Sequence, residues 1–282
     1  MRYGASYPLT GLDDIGALRD FAQALDGAGI DTVSLASHAL STEPSRFPDR
    51  PAGMVSGPFR DPFVLFAYLA GVTRRLTFRT AILIAPLYST PILAKQAADL
   101  AIVSGGRFEL GVGISWNELE YGALGQDIHT RGRRLAEQLV LLKRMWSEPY
   151  VTFEGRFHKL DGVGLNQLPP PITLWVGATP AERPLRRAAR LGDGWLPLGD
   201  PVETMPVLRQ YLADAKRDLA TFRVGGRVAA GPGGPDAWIA EARRQQAAGV
   251  TDLNLGAPPE MSPSQSLARV IEARSVLAQA LG

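Results

Sequence analysis

Two segments of the sequence place reactive or ligand-binding groups directly after predicted β-strands. His38 follows the strand predicted at 30–36, and an imidazole titrates near neutral pH, which makes it a candidate acid or base. Gly177, Ala178 and Thr179 follow another predicted strand, where small residues let a ligand approach and the N–H groups of the next helix can hold a phosphate. The alternatives are a loop histidine without a chemical role and an ordinary turn between a strand and a helix.

A third such strand end lies within residues 104–125. Glycines end a helix here, and alternating apolar residues then predict a strand over 107–113. Gly111 and Gly113 carry no side chain, so another group can press close to the end of this strand. A dinucleotide-binding fingerprint is excluded, because Trp116 stands where that motif needs its third glycine.

The residue types give no support for metal or thiol chemistry. The three histidines are His38, His129 and His158, and their spacing fits no metal-ligand motif, so we expect no metal site. The chain has no cysteine, which excludes disulfides, iron–sulfur clusters and thiolate catalysis. The candidate groups are therefore acid–base and ligand-binding groups rather than metal ligands.

Length and composition fit one β/α barrel. The 282 residues, of which 45% are hydrophobic, suit a barrel of roughly 250 residues with an insertion, although two smaller domains also fit the length. The formal net charge of +2 gives no argument for nucleic-acid binding. The N-terminus lacks a signal-peptide pattern, and no apolar run reaches the ~18 residues that span a bilayer. We expect one domain over residues 1–282 in a cytoplasmic protein that binds neither nucleic acid nor membrane.

Eight predicted strands alternate with helices, which is the pattern of a (β/α)8 TIM barrel in the α/β class. The strands are predicted at residues 2–7, 30–36, 76–85, 107–113, 172–177, 195–198, 223–230 and 252–255. In such barrels the chemistry lies at the C-terminal ends of the strands. Residues 149–171 predict a β-hairpin insertion before strand five, with Val151–Phe153 and Phe157–Leu160 as its two arms.

Helices are predicted between these strands from capping residues and apolar periodicity. The first follows a break at Gly11, and Asp13 and Asp14 favour its first turn through the helix dipole. The later helices are predicted at 61–72, from Pro91 onward, and at 130–146, 184–191, 202–219, 236–248 and about 267–281. A long loop over 39–60 is expected to be functional or mobile.

The stretch SGGRFELGVGISWNELEYGALG, residues 104–125, strongly resembles the bacterial-luciferase-like flavin and deazaflavin oxidoreductases, the luciferase-like monooxygenase superfamily. A second matching block is RRAARLGDGW, residues 186–195, and the resemblance covers nearly the whole chain. Ser115 replaces a glycine that is usual in the loop after the fourth strand. Within the superfamily the chain most resembles the enzymes that depend on coenzyme F420, a deazaflavin.

This resemblance implies roles for the residues at the strand ends. It places His38 beside the reactive face of the cofactor as the catalytic residue, although relatives carry an Asp-His pair where this chain has Ser37-His38. It implies a non-proline cis peptide at Ala81–Ile82 that backs the tricyclic ring, in a stretch whose composition indicates only a buried strand. It also implies cofactor contacts at the remaining positions, which are Gly113, Ser115, Gly177, Ala178 and Thr179.

The function implied by the resemblance is hydride transfer between coenzyme F420 and a small organic substrate. The alternatives are a reduced-FMN-dependent monooxygenase of the same fold and a non-catalytic flavin-binding barrel. No acidic residue directly follows strand one, and no tryptophan closely follows His38. These two differences argue against the sugar-phosphate and alcohol dehydrogenase activities that occur in the superfamily.

The resemblance also implies a homodimer. Met145 and Trp146 are predicted to offer it apolar surface at the end of the barrel. In the loop over 39–60, Arg46, Arg50 and Arg60 are either solvated or in contact with an anionic substrate or the acidic tail of the cofactor.

Overall fold

Parallel strands form a closed barrel in the computed structural model, which describes residues 1–8, 12 and 14–281. The strands are β1 (Arg2–Ser6), β2 (Thr32–Leu35), β3 (Thr77–Thr80), β4 (Leu83–Ile84), β5 (Phe108–Gly113), β6 (Val151–Glu154), β7 (Lys159–Val163), β8 (Thr173–Ala178), β9 (Gly194–Pro197), β10 (Arg223–Ala229) and β11 (Asp252–Gly256). The helices are α1 (Ile15–Gly27), α2 (Ala52–Ser56), α3 (Pro62–Val72), α4 (Thr90–Val103), α5 (Glu118–Ala123), α6 (Arg131–Ser147), α7 (Glu182–Leu191), α8 (Pro201–Asp214), α9 (Gly234–Ala248) and α10 (Pro263–Leu281).

The barrel closes through one pairing between its third and fourth strands. The sheet order is β3, β2, β1, β11, β10, β9, β8, β5, β4, and pairing of β3 with β5 joins the two ends. Because β3 and β4 are two parts of the third strand, the barrel has eight strands, and the predicted (β/α)8 fold is confirmed. β6 and β7 pair antiparallel in a separate hairpin, within the insertion predicted before strand five.

Several predicted boundaries are corrected. α8 ends at Asp214 rather than near residue 219, and the loop over 39–60 contains α2 and a 3-10 turn. α5 was not predicted. The Asp14 side chain caps α1 by accepting a hydrogen bond from the Ala17 N–H, whereas Gly11 and Asp13 lie outside the described residues. Within the described residues, no helix is both long and apolar enough to cross a bilayer.

The third barrel strand is interrupted, so the single strand predicted over 76–85 is wrong. β3 ends at Thr80, and a cis peptide joins Ala81 to Ile82 before β4, as the resemblance implied. At the interruption, the Thr80 hydroxyl donates to the Gly111 carbonyl at 2.7 Å and accepts from the Gly111 N–H at 2.8 Å. A side chain at Gly111 would stand 2.0 Å from the Thr80 carbonyl oxygen, so only glycine fits there.

The inner face of α6 packs against the barrel. Leu135, Leu139 and Leu142 are fully buried, as their spacing predicted. Met145 and Trp146 are also buried, at 2% and 8% exposure, and the Trp146 indole N–H donates to the Ala94 carbonyl. The prediction that Met145 and Trp146 offer surface to a second copy is therefore wrong, and the homodimer stays a prediction without them.

Charged side chains fill the N-terminal part of the barrel interior. The Glu109 carboxylate accepts from Arg2 at 2.9 Å, from Arg223 at 2.6 Å and from the Trp175 indole at 2.9 Å. Burial alone would raise the pKa of Glu109, but Arg223, Arg79 and Arg2 outweigh it and hold the pKa below its usual range. We call the group of Arg2, Arg79, Glu109, Arg223 and Asp252 the ionic cluster.

The Thr80 hydroxyl can be tested by one substitution that removes the hydroxyl at constant shape and one that keeps it. Thr80→Val leaves the buried N–H and carbonyl of Gly111 without partners, which costs ~1–3 kcal/mol in the free energy of unfolding. Thr80→Ser keeps the hydroxyl and loses only a methyl group, worth about 0.8 kcal/mol. Urea unfolding of both variants measures the difference. A valine variant as stable as the serine variant would contradict this role.

Candidate active site

A cleft opens at the C-terminal ends of the barrel strands. Its volume is about 1270 Å³. All eight residues predicted for the site line it: His38, Ala81, Ile82, Gly113, Ser115, Gly177, Ala178 and Thr179. Four separate strand ends supply these residues, because parallel strands bring their carboxyl ends to one face of the barrel.

The His38 ring is held by a buried carboxylate. His38 Nδ1 lies 2.9 Å from Glu120 Oε2, and Glu120 is 2% exposed. The other carboxylate oxygen accepts from the backbone N–H groups of Ala39 and Leu40, at 2.5 Å and 3.2 Å. With Nδ1 directed at Glu120, Nε2 is the ring nitrogen left for a ligand. His38 therefore has the orientation that an acid–base residue needs.

Sequence reasoning missed Glu120, although a local signal exists. Asn117 caps α5 by accepting from the N–H groups of Leu119 and Glu120, so Asn117 and Glu120 have the spacing of a capping box. In a capping box the glutamate bonds back to the first residue of the motif. Here Glu120 instead reaches 82 positions back along the chain to His38. Asn117 also donates to the Thr42 hydroxyl at 2.8 Å, which ties α5 to the loop that follows β2.

Aromatic side chains surround His38. Its ring centroid lies 4.8 Å from that of Phe59 and 6.3 Å from that of Trp116. Phe47 packs edge-on against Trp116, and the Arg50 guanidinium lies 4.5 Å from the centre of the Trp116 ring. At the rim of the cleft, the pair of His38 and Glu120 is therefore surrounded by aromatic side chains.

None of the three arginines in the loop over 39–60 is among the described residues that line the cleft. Arg50 stacks on Trp116, and Arg60 donates to the Leu12 carbonyl at 3.0 Å. Arg46 ends a 3-10 turn and is exposed. The suggestion that these arginines meet an anionic group is therefore not supported by their positions.

The glycines of two strand ends make room for Ile82. A methyl group added at Gly113 would stand 2.8 Å from Ile82 Cδ1, and one added at Gly177 would stand 2.8 Å from Ile82 Cγ2. What presses close to these glycines is thus a side chain of the same protein. Ile82 forms an apolar surface in the cleft because both facing positions lack a side chain.

A partly buried arginine accompanies the segment predicted to hold phosphate. Thr179 is exposed, whereas Ala178 is buried and its carbonyl accepts from the Trp195 indole N–H at 3.0 Å. Arg187 of α7 lines the same cleft and donates from Nη1 to the Gly132 carbonyl, but its Nε has no partner within the described residues. Burial lowers the pKa of Arg187, and nearby Arg131 lowers it further. An anion beside Arg187 would offset both effects.

The two other histidines lie elsewhere. His129 is exposed, and His158 pairs with Glu137 at 2.7 Å and with the Thr90 hydroxyl at 2.7 Å, which fastens the hairpin to the barrel. Over residues 1–8, 12 and 14–281, no group of three or more histidine, cysteine, aspartate or glutamate side chains is arranged to hold a metal ion.

Comparison with known proteins links the chain to enzymes that share this barrel. A family model described as luciferase-like monooxygenase matches residues 2–273. An F420-dependent glucose-6-phosphate dehydrogenase of Kineococcus radiotolerans is 30% identical over 185 residues, which cover 64% of this chain and 52% of that protein. The match thus spans about half the length of that relative.

Two solved structures have the same fold. An F420-dependent secondary alcohol dehydrogenase in complex with an F420-acetone adduct superposes with a TM-score of 0.79 and 16% identity, over 98% of each chain. A riboflavin lyase with modified FMN and riboflavin gives a TM-score of 0.78 and 14% identity, over 98% of this chain and 92% of that one. At these identities the likeness establishes the barrel and not the reaction.

The packing of Ile82 generates a paired test. Gly113→Ala and Gly177→Ala each add a methyl group against Ile82, and such overpacking costs ~1–3 kcal/mol in the free energy of unfolding. Ile82→Val removes Cδ1, which the methyl group at 113 meets, but keeps Cγ2, which the methyl group at 177 meets. We expect Ile82→Val to restore part of the stability of Gly113→Ala and none of that of Gly177→Ala. Urea unfolding measures the stability of each double variant against its glycine-to-alanine parent. An equal gain in stability in both double variants would contradict the packing described for Ile82.

Proposed function

Because the chain belongs to the luciferase-like monooxygenase family, we propose that it is an oxidoreductase that transfers a hydride between coenzyme F420 and a small organic substrate. The observation that carries the proposal is the pair of His38 and Glu120 at the rim of a cleft that all eight predicted site residues line. The choice of F420 is supported by the relative of Kineococcus radiotolerans, which is described as F420-dependent. FMN is the alternative cofactor, since a barrel of the same fold contains modified FMN.

The cleft has the features that a phosphate-bearing tricyclic cofactor requires. Its volume of about 1270 Å³ exceeds that of a typical small-molecule pocket, about 300–1,000 Å³. Ile82 presents an apolar surface for one face of a ring. Thr179 and the unpartnered Nε of Arg187 supply donors for a phosphate. When bound, the deazaflavin would supply the carbon that accepts or releases the hydride.

His38 would move the proton that accompanies the hydride. With Nδ1–H donating to Glu120, Nε2 carries the lone pair that would accept the proton that the substrate releases as the hydride leaves. The Glu120 carboxylate then faces an imidazolium, which it stabilises. In the reverse direction the same nitrogen returns the proton. Phe59 and Trp116 limit the access of water to this nitrogen.

Cofactor identity and position can be tested by titration. We expect the purified protein to bind F420 more tightly than FMN. Thr179→Glu places a negative charge at the exposed phosphate position and should weaken F420 binding about tenfold or more. Ser264→Glu adds the same charge at the exposed start of α10, outside the cleft lining, and serves as the control. Tight binding of FMN without binding of F420 would reverse the choice of cofactor.

Ala178 is unsuitable for this test. It is 2% exposed, so a glutamate there would disturb packing whether or not phosphate binds nearby. Equal F420 affinity of the Thr179→Glu and Ser264→Glu variants would contradict the placement of a cofactor phosphate at this strand end.

The proton-transfer role has its own test. On a substrate found by screening, His38→Ala should lower kcat by about 10²- to 10⁴-fold and leave F420 affinity nearly unchanged. Glu120→Gln should also lower kcat, because the amide oxygen accepts from the Ala39 and Leu40 N–H groups and its NH2 then faces Nδ1, so that Nε2 keeps the ring proton and cannot accept another. Glu118→Gln is the matched control, since Glu118 lies on the same helix and is exposed. Steady-state kinetics and cofactor titration separate the two effects, and an unchanged kcat in His38→Ala would refute the role.

A further inference from the structure

Polar side chains on five adjacent strands line one part of the cleft. They are Arg79 on β3, Ser34 on β2, Ser6 on β1, Asn254 on β11 and Arg227 on β10. Strand register places them side by side: Ser34 pairs with Arg79, Ser6 with Ser34, and Arg227 with Asn254. We call these five residues the polar arc. None of them has a role in the hydride or proton transfer described above.

Arg79 is a buried guanidinium without a hydrogen bond from the described residues. It is 3% exposed, and its Nε and Nη1 have no hydrogen-bond partner there. The nearest carboxylate oxygens, of Glu109 and Asp252, lie 3.6 Å and 3.7 Å from Nη1, beyond normal hydrogen-bond range. The group lies over the Trp175 ring, 4.6 Å from its centre. Arg79 therefore has donor capacity that the described residues do not use.

The ionic cluster below the cleft has an excess positive charge. Its two carboxylates, Glu109 and Asp252, are hydrogen-bonded by Arg223, and Arg2 also bonds to Glu109. Arg79 is the third guanidinium, so the cluster of three cations and two anions has a net charge of +1. Burial lowers the pKa of Arg79, although Glu109 and Asp252 partly offset this. One bound anion would neutralise the cluster, and a buried charge is costly without such a partner.

Ser34, Ser6 and Asn254 are the neutral polar residues of the arc. Ser34 Oγ makes only long contacts, 3.3 Å to the Ala5 carbonyl and 3.4 Å to Asn254 Oδ1, so its hydroxyl can turn to a ligand at little cost. Asn254 donates to the Ser6 hydroxyl at 3.0 Å. A second, apolar wall of the cleft includes Leu196 and Ile82. A ligand with an anionic end and an apolar body fits these two walls.

We propose that the polar arc binds a carboxylate of the substrate, with Arg79 as its charge partner and Ser34 as a hydrogen-bond donor. A monoanion matches the single excess charge of the ionic cluster, whereas a phosphate dianion would need the further charge of Arg227, which is exposed to solvent. Assigning this group to the substrate rests on the function proposed above. The binding of the anion itself does not, and it is measurable on protein without cofactor.

Isothermal titration calorimetry tests the site on the full chain, with and without F420, at constant ionic strength. The probes are acetate and benzoate, their neutral counterparts acetamide and benzamide, and methylphosphonate. We expect at least one carboxylate to bind about tenfold or more tightly than its amide, because only the anion completes a charged hydrogen bond with Arg79. Equal affinities for both acid–amide pairs would overturn the proposal, and a stronger preference for methylphosphonate would overturn the carboxylate assignment.

Variants locate the binding. Arg79→Met should abolish the preference for the carboxylate and leave amide affinity unchanged, whereas Arg227→Met, at the exposed end of the arc, should reduce the preference less. A preference that persists in Arg79→Met would overturn the proposal. If Arg79→Met does not fold, Ser34→Ala provides the test. We expect this variant to bind the carboxylate more weakly, and an unchanged carboxylate affinity would contradict the site. Carboxylate binding without any F420 binding would support the arc while refuting the proposed function.

Discussion

The carboxylate of Glu109 connects more barrel strands than any other group discussed above. It extends from β5 and accepts hydrogen bonds from Arg2 on β1, Trp175 on β8 and Arg223 on β10. A buried carboxylate is costly to desolvate unless its partners are fixed, so these strands must meet with the correct register and stagger. Aliphatic layers, which fill most barrels of this kind, tolerate repacking and specify register less strictly. The ionic cluster thus replaces part of the apolar interior and makes the deep wall of the cleft polar.

The cleft inherits an asymmetry from this interior. On one side, glycines at 113 and 177 admit Ile82, and the wall is apolar. The polar wall is the polar arc, which shares Arg79 with the ionic cluster. His38 stands at the rim, where the loops after β2 and β5 meet. A molecule that has one polar and one apolar end can bind between these walls in only one orientation. That orientation determines which of its atoms lies nearest His38, without a specific contact at the reacting atom.

The residues at the strand ends were predictable, but their partners were not. Eight apolar segments alternating with helices indicate a barrel, and barrel topology alone brings His38, Gly113 and Thr179 to one face. Glu120 has a local interpretation as a capping residue, and only the fold shows that it reaches His38. Arg79 lies in a stretch that reads as an uninterrupted buried strand, because nothing in its composition marks the end of β3 or a charged neighbour on another strand. Long-range electrostatic partners leave no periodic pattern in a sequence.

The pairing of Glu120 with His38 changes the interpretation of Ser37, the residue that precedes the histidine. The resemblance implied a carboxylate directly before the histidine, where this chain has serine. An orienting carboxylate needs only to reach the ring, and Glu120 does so at 2.9 Å from a different strand end. It also accepts from two backbone N–H groups beside His38, so its oxygens are fully used and its position is fixed by more than the ring. A neighbouring aspartate would move with the loop of His38, whereas Glu120 couples that loop to α5. The orientation of the ring therefore depends on the ends of β2 and β5 keeping their relative positions. At the base of these strands, Arg2 of the ionic cluster donates to both Thr32 on β2 and Glu109 on β5, at 3.0 Å and 2.9 Å.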